Sequence, residues 1–184
     1  MRASHGWDHV DRERKREIIE AIKSGTATSG PSHLELDLTD RCNVACYFCN
    51  QQDLRTKEQI PEDTIRTTID SLAETGLRSV RLSGGGDPLF HRQIHDVLDH
   101  LISKGIIIDN LTTNGVALSP EISRKLVSSK AREVIVSLNA PNAEQYHRML
   151  RVKPALFDKV LENVRSLVDI RGDAEGPSIV IQIL

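Results

Sequence analysis

Long apolar runs are missing from this sequence, and cysteine and aromatic residues are scarce. No stretch is long and apolar enough to span a bilayer. The N-terminal run MRASHGWDHVDRERKREIIE has no apolar centre and is not a secretory signal. Neither sign of charge dominates: 24 Lys and Arg stand against 26 Asp and Glu, a formal net charge of −2. So small an imbalance draws the chain neither to nucleic acid nor to an anionic membrane. The cysteines number 3, all between Cys42 and Cys49. An odd, crowded set is a poor disulfide framework. With no export signal, the expected compartment is the reducing cytoplasm, where clustered thiols bind metal or act chemically. What remains is ordinary for a globular chain: 184 residues, 39% hydrophobic and 27% charged, enough for one domain with a core.

The local pattern alternates between strand and helix. Asp8–Ser24 reads as a helix, with Val10, Ile18, Ile19 and Ile22 as a partial stripe and Gly25 as its stop. Gly25–Ser32 is small, polar and proline-containing, a linker. Residues 1–32 therefore form an N-terminal helix and linker, and 33–184 the main domain. His33–Leu38 alternates like a strand. A helix follows from Pro61 to Gly76, then a strand at Ser79–Leu82 and a helix to about Ser103. Ile106–Leu111 is the third strand. Ser119-Pro120-Glu121 is a helix start: a capping hydroxyl, proline in the first turn, then an acid. Val134–Leu138 is a fourth strand, Asn142–Leu150 and Leu156–Asp169 are helices, and Ser178–Leu184 is a fifth strand. This alternation predicts an α/β fold of parallel βαβ units, its short apolar strands buried on both faces.

In parallel α/β folds the chemistry collects where strands end. The unusual residue clusters lie in the segments after the first four strands: Thr39–Asn50, Ser83–Pro88, Thr112–Gly115 and the stretch following Ser137. The first contains Cys42, Cys46 and Cys49 with C-x3-C-x2-C spacing. Three thiolates on one loop can converge on a metal centre. A structural zinc site needs a fourth ligand, here a distant His or Asp, since no fourth cysteine exists. A 4Fe–4S cluster takes one thiolate per iron, and three thiolates leave one iron open for chemistry. His91 and His95, four apart on an expected helix, have no metalloprotease pattern between them. With His100 they read as surface or packing residues.

The cysteine spacing after a first strand, with Phe48 before the last cysteine, resembles the radical S-adenosylmethionine superfamily, and the resemblance extends over about residues 33–184. It implies a partial (β/α)6 TIM-like barrel and an enzyme with two cofactors, a 4Fe–4S cluster held by Cys42, Cys46 and Cys49, and S-adenosylmethionine on the open iron. Reductive cleavage then yields methionine and a 5′-deoxyadenosyl radical that abstracts hydrogen. By the same resemblance Phe48 lies near the adenine. Gly84, Gly85, Gly86 and Asp87 stand where the family has Gly-Gly-Glu-Pro beside the cofactor's amino group. Asp87 departs from that pattern by one methylene, and Asp before Pro88 is also a good helix cap. Thr113 and Asn114 match the Thr-Asn-Gly that lies by the methionine and ribose moieties. Ser137 and Asn139 are polar residues at the end of a strand expected to be buried, where ribose hydroxyls or loop capping would satisfy them. Arg151 falls where an arginine near the cofactor carboxylate, or an ordinary surface arginine, would serve.

Within the superfamily, the stretch Asn142–Val164 is similar to members with a C-terminal auxiliary-cluster (SPASM or twitch) domain. Five strands against the six expected lead to the reading that the barrel is truncated after its fifth strand. The resemblance implies a low-potential electron donor, flavodoxin or ferredoxin. The substrate is expected to be a peptide or a small molecule such as a sugar or nucleoside. The competing reading is a catalytically silent iron–sulfur or S-adenosylmethionine-binding module.

Overall fold

The computed structural model describes residues 12–27 and 29–183. Five strands form one sheet in the order β1-β2-β3-β4-β5. They are β1 (His33–Asp37), β2 (Ser79–Ser83), β3 (Ile107–Thr113), β4 (Glu133–Ser137) and β5 (Ser178–Gln182). Every neighbouring pair is parallel. The helices are α1 (Arg12–Ser24), α2 (Glu62–Glu74), α3 (Ile94–Ser103), α4 (Pro120–Ser128), α5 (Ala143–Leu150) and α6 (Ala155–Arg171). Consecutive strands are neighbours, so each crossover winds the same way and the crossover helices collect on one face. That is the winding of a barrel wall. The part of the first expected helix before Arg12, with Val10, lies outside the described residues, as does Leu184. No described helix is long and apolar enough to cross a membrane.

The helices start and face inward for local reasons. The Ser119 hydroxyl accepts from the Ile122 N–H at 3.2 Å and Pro120 opens the first turn of α4. Asn142 caps α5 by accepting from the Gln145 N–H at 2.9 Å. Along α3, Ile94, Val97, Leu98 and Leu101 fall at helical spacing and are all buried. They pack with Val80, Leu82, Ile108, Leu111, Val134 and Val136 in one core between sheet and helices.

The expectation of a sheet apolar on both faces is not met. In-register residues on the other face are Glu35, Arg81, Asn110, Glu133 and Ser178, one across each strand. Arg81 donates to Glu35 at 3.2 Å, and Asn110 to Glu133 at 2.8 Å. The reason is the winding: the crossover helices all cover one side, and the other is approached by α1, whose Ile18, Ala21 and Ile22 line a cavity with Glu35, Arg81, Asn110 and Glu133. On β5, Val180 and Ile181 are partly exposed.

The loops at the carboxyl ends of β1 and β2 are built into each other. The Gly86 N–H donates to the Thr39 carbonyl at 3.0 Å and the Asp87 N–H to the Arg41 carbonyl at 2.9 Å. A Cβ on Gly86 would lie 2.1 Å from the Arg41 carbonyl oxygen, and one on Gly84, whose φ is +131°, would meet the Asp37 carboxyl at 2.3 Å. At Gly85 the nearest atom would be the Asp40 Cβ at 3.6 Å, an ordinary contact. The three adjacent glycines therefore have different tolerances. Gly86→Ala is expected to destabilise the fold by about 2 kcal/mol through overpacking against backbone. Gly85→Ala is expected to leave the thermal midpoint nearly unchanged. Parallel melts of the two variants measure the difference.

Candidate functional site

The cysteine loop is tied down at each end and in the middle. Thr39 Oγ1 donates to the Glu58 carbonyl at 2.6 Å and accepts from the Arg41 N–H at 3.0 Å. Further along, the Ala45 and Tyr47 N–H groups donate to the Leu150 and Met149 carbonyls at 3.0 and 3.1 Å. These are carbonyls that the end of α5 leaves without helical partners. Arg151, the residue after that helix, adopts a left-handed conformation with φ 55° and ends it. The Gln52 amide satisfies its neighbours with its nitrogen toward the Ala45 and Cys46 carbonyls, at 3.2 and 2.8 Å. Its oxygen then faces Arg151 Nη1 at 3.2 Å.

All three cysteines are free thiols of intermediate burial. Burial pushes the Cys42 thiol up. Burial, then the neighbouring Cys42 and Cys49, push Cys46 up to about 11. Two sulfurs have protein donors. Arg55 Nη2 donates to Cys49 Sγ at 3.3 Å, and Asn114 Nδ2 approaches Cys42 Sγ at 3.7 Å while donating to Asn43 Oδ1 at 2.6 Å. Nothing in the polar run around Arg55 or in the lone Asn43 marked either residue in the sequence.

Asp87 joins the second and third loops. It is 3% exposed. Its carboxylate accepts from the Leu89 N–H at 2.9 Å, from Thr113 Oγ1 at 3.0 and 2.9 Å, and from the Asn114 N–H at 2.7 Å. Burial pushes its pKa up, while these donors, led by the Asn114 N–H, pull it back. Both oxygens are engaged by protein, so the carboxylate caps a short 3-10 helix, Pro88–Phe90, and anchors the third loop. Thr113 is likewise committed, accepting from the Gly115 N–H at 3.1 Å. From α6, Asn163 Nδ2 holds the Gly115 and Val116 carbonyls at 2.9 and 3.0 Å.

The remaining expected residues are less tied. Phe48 is half-buried and edge-on to Tyr47, with ring centroids 5.3 Å apart. Ser137 is half-buried at the end of β4. Asn139 is 5% exposed with φ 55°, and its Oδ1 has no hydrogen-bond partner among the described residues. Tyr146 was not singled out in the sequence, where its spacing from Leu150 reads as plain core. It is fully buried with an unpartnered hydroxyl. Burial, then Cys46, Asp87 and Cys42, push its phenol up.

The histidines do not converge. His91 precedes α3 and contacts the Ile60 carbonyl at 2.9 Å. His95 pairs with Glu121 at 3.3 Å, and His100 sits between Arg66 and Asp70, 3.0 Å from each.

A 4Fe–4S cluster and S-adenosylmethionine fit these residues. The donor set is three thiols on one loop, two with hydrogen-bond donors at sulfur. Buried polar atoms at Asn139 and Tyr146 await partners. Among the described residues no three His, Cys, Asp or Glu side chains converge on a point as the ligands of one ion would. A cluster makes a different demand, one thiolate to each of three irons.

The stability of this arrangement has a direct test. Asp87→Asn would turn an amide N–H2 toward donors that the carboxylate now satisfies. A loss of about 2 kcal/mol is expected from the buried donors left unpaired. Chemical denaturation of the two proteins checks it.

Comparison with known proteins agrees with the geometry. The model of the radical SAM superfamily matches residues 36–181. The probable GTP 3′,8-cyclase of Methanosarcina mazei is 28% identical over 89% of this chain and 49% of its own length. The GTP 3′,8-cyclase of Peptoclostridium acidaminophilum is 30% identical over 73% of this chain and 42% of its own. The chain thus spans about half the length of the curated relatives it matches. Among solved structures, Streptococcus suis SuiB bound to S-adenosylmethionine superimposes with a TM-score of 0.68 at 19% identity, over 94% of this chain and 38% of SuiB. The anSMEcpe structure with bound AdoMet and a peptide gives 0.62 at 16%, over 82% of this chain and 43% of its own. These likenesses match the fold of a partial TIM barrel. The family uses a 4Fe–4S cluster and S-adenosylmethionine, and this chain, matched over residues 36–181, belongs to the radical SAM superfamily.

Proposed function

We propose that residues 33–184 form a radical SAM core, following an N-terminal helix and linker at 1–32, in which Cys42, Cys46 and Cys49 hold the cluster. The observation that carries this reading is the three-thiol loop docked at once on the glycine loop and on the end of α5. When bound, the cluster and S-adenosylmethionine supply a reductive cleavage whose carbon radical abstracts hydrogen from the substrate.

The chain's own residues prepare that site. Arg55 and Asn114 present N–H groups to two of the cysteine sulfurs, donors that cluster-bound thiolates can accept. Asp87 holds Asn114 in place through its backbone. Gly85, where an added Cβ would make only an ordinary contact with Asp40, is the point at which backbone can approach the cofactor's amino group. Asn139 offers an unpaired carbonyl oxygen to a ribose hydroxyl. Ser137, Phe48 and Arg151 complete the cofactor's surroundings. A flavodoxin or ferredoxin supplies the electron.

For the substrate, the relatives named GTP 3′,8-cyclase favour a purine nucleoside or nucleotide over a peptide. The substrate is expected on the polar face of the sheet, where Glu35, Arg81, Asn110 and Glu133 lie in one row.

Anaerobic reconstitution with iron and sulfide, then dithionite and S-adenosylmethionine, tests the reaction. The expected product is 5′-deoxyadenosine, absent from Cys42→Ser, Cys46→Ser and Cys49→Ser. A cluster that forms without cleavage supports a silent binding module instead, and zinc without acid-labile sulfide sinks both readings. With GTP, guanosine and unrelated peptides present in turn, liquid chromatography with mass spectrometry should find a new product, of altered retention even where its mass is unchanged, from the purine compound alone. Gly85→Ala is expected to keep the melting midpoint and weaken S-adenosylmethionine binding about tenfold, on a contact loss of about 1.4 kcal/mol. Equilibrium binding to the reconstituted protein measures it.

A further inference from the structure

We infer that Arg55 is a positioning residue for the cysteine loop and that its charge sets the reduction potential of the cluster there. This rests on the cluster reading above.

Arg55 lies between the 3-10 turn Gln52–Leu54 and the bridge that pairs Thr39 with Gln59. Each of its nitrogens is committed. Nε donates to the Gly85 carbonyl at 3.2 Å, Nη1 to the Val44 carbonyl at 3.1 Å, and Nη2 to Cys49 Sγ at 3.3 Å. One planar side chain thus joins the middle of the cysteine loop, its last sulfur and the glycine loop of β2. The fork is rigid, so the Cys49 sulfur cannot shift against both carbonyls without losing a hydrogen bond. By contrast, Asn114 brings only a neutral amide to Cys42, at the longer distance of 3.7 Å.

The charge has a second consequence. One-electron reduction adds negative charge that is shared by irons, sulfides and thiolates. A guanidinium hydrogen-bonded to one thiolate stabilises the reduced form more than the oxidised one. The pair is half-buried, so water screens this difference only in part. Hydrogen bonds to the sulfurs and local charge are among the terms that set cluster potentials. Arg55 therefore raises the potential and brings the cluster within reach of its electron donor.

The test compares wild type, Arg55→Lys and Arg55→Gln as full chains, reconstituted anaerobically with iron and sulfide. Iron and sulfide content is assayed first, and midpoint potentials are then read by redox titration followed by electron paramagnetic resonance. Arg55→Gln, a neutral donor, is expected to shift the midpoint to more negative values. At a fixed ambient potential its reduced-to-oxidised ratio should fall about fivefold or more, with one unit charge removed beside the sulfur. Arg55→Lys keeps the charge and should stay near wild type. Should the glutamine variant hold too little cluster to titrate, Arg55→Met, neutral and of similar length, is titrated in its place: a negative shift supports the inference, and a wild-type midpoint overturns it. Equal midpoints in wild type and Arg55→Gln overturn the inference alone, whatever happens to cluster content. Wild-type protein that takes up no cluster overturns this inference and the cluster reading together.

Discussion

A carboxylate taken out of water has to find hydrogen-bond donors or give up its charge, and the site at the carboxyl end of this sheet is organised around one that has found them. Asp87 draws its donors from its own short helix and from the third loop, through Leu89, Thr113 and Asn114. Its backbone N–H meanwhile holds the Arg41 carbonyl next to Cys42. One residue thereby couples three loops that are far apart in the chain. Asn114, fixed by that carboxylate, is the residue whose side chain reaches Asn43 and Cys42. If the Asp87 contact loosens, the cysteine loop loses its floor as well as its neighbour.

The other constraint is the one-sided winding of the sheet. The crossover helices lie on one face, so that face carries the apolar core and the opposite face is free to be polar. The strands show this as alternation: in Glu133–Ser137 the buried residues are Val134 and Val136. Parallel strands also point every carboxyl end the same way. That is why the cysteine, glycine and Thr-Asn-Gly loops meet at a single edge. Their meeting places half-buried sulfurs beside one cation and one amide, a setting in which small changes of charge carry energetic weight.

Much of this was legible before any coordinates. Strand and helix alternation could be read because the apolar periodicity is strong and the breaks carry local punctuation. The Ser119-Pro120-Glu121 start is an interaction within a single turn and forms as expected; Asn142, expected as the first residue of its helix, caps it from one position before. The cysteine spacing could be read because loop ligands lie close in sequence. The second face of the sheet was misjudged, since short strands rich in valine and isoleucine look the same whether one or both faces are covered. Asp87 was ambiguous for a similar reason. Asp before Pro announces a cap, but the capture of Thr113 and Asn114 depends on where the third loop arrives.

What the sequence determined by itself is thus the local chemistry: the elements, their caps, three thiols at C-x3-C-x2-C spacing, and the family to which they belong. Only the tertiary structure decided which groups face those thiols. Arg55, Asn43 and Tyr146 carry no motif, and each acquires its place through contacts with residues distant along the chain. The same holds for the neighbouring glycines, which are identical in sequence. Gly86 is pressed against the Arg41 carbonyl, while at Gly85 an added Cβ would make only an ordinary contact with Asp40. Short-range patterns are fixed by the backbone's local preferences. The surroundings of a buried atom are fixed by packing, which brings distant segments within a few ångströms and leaves no record in the order of the residues.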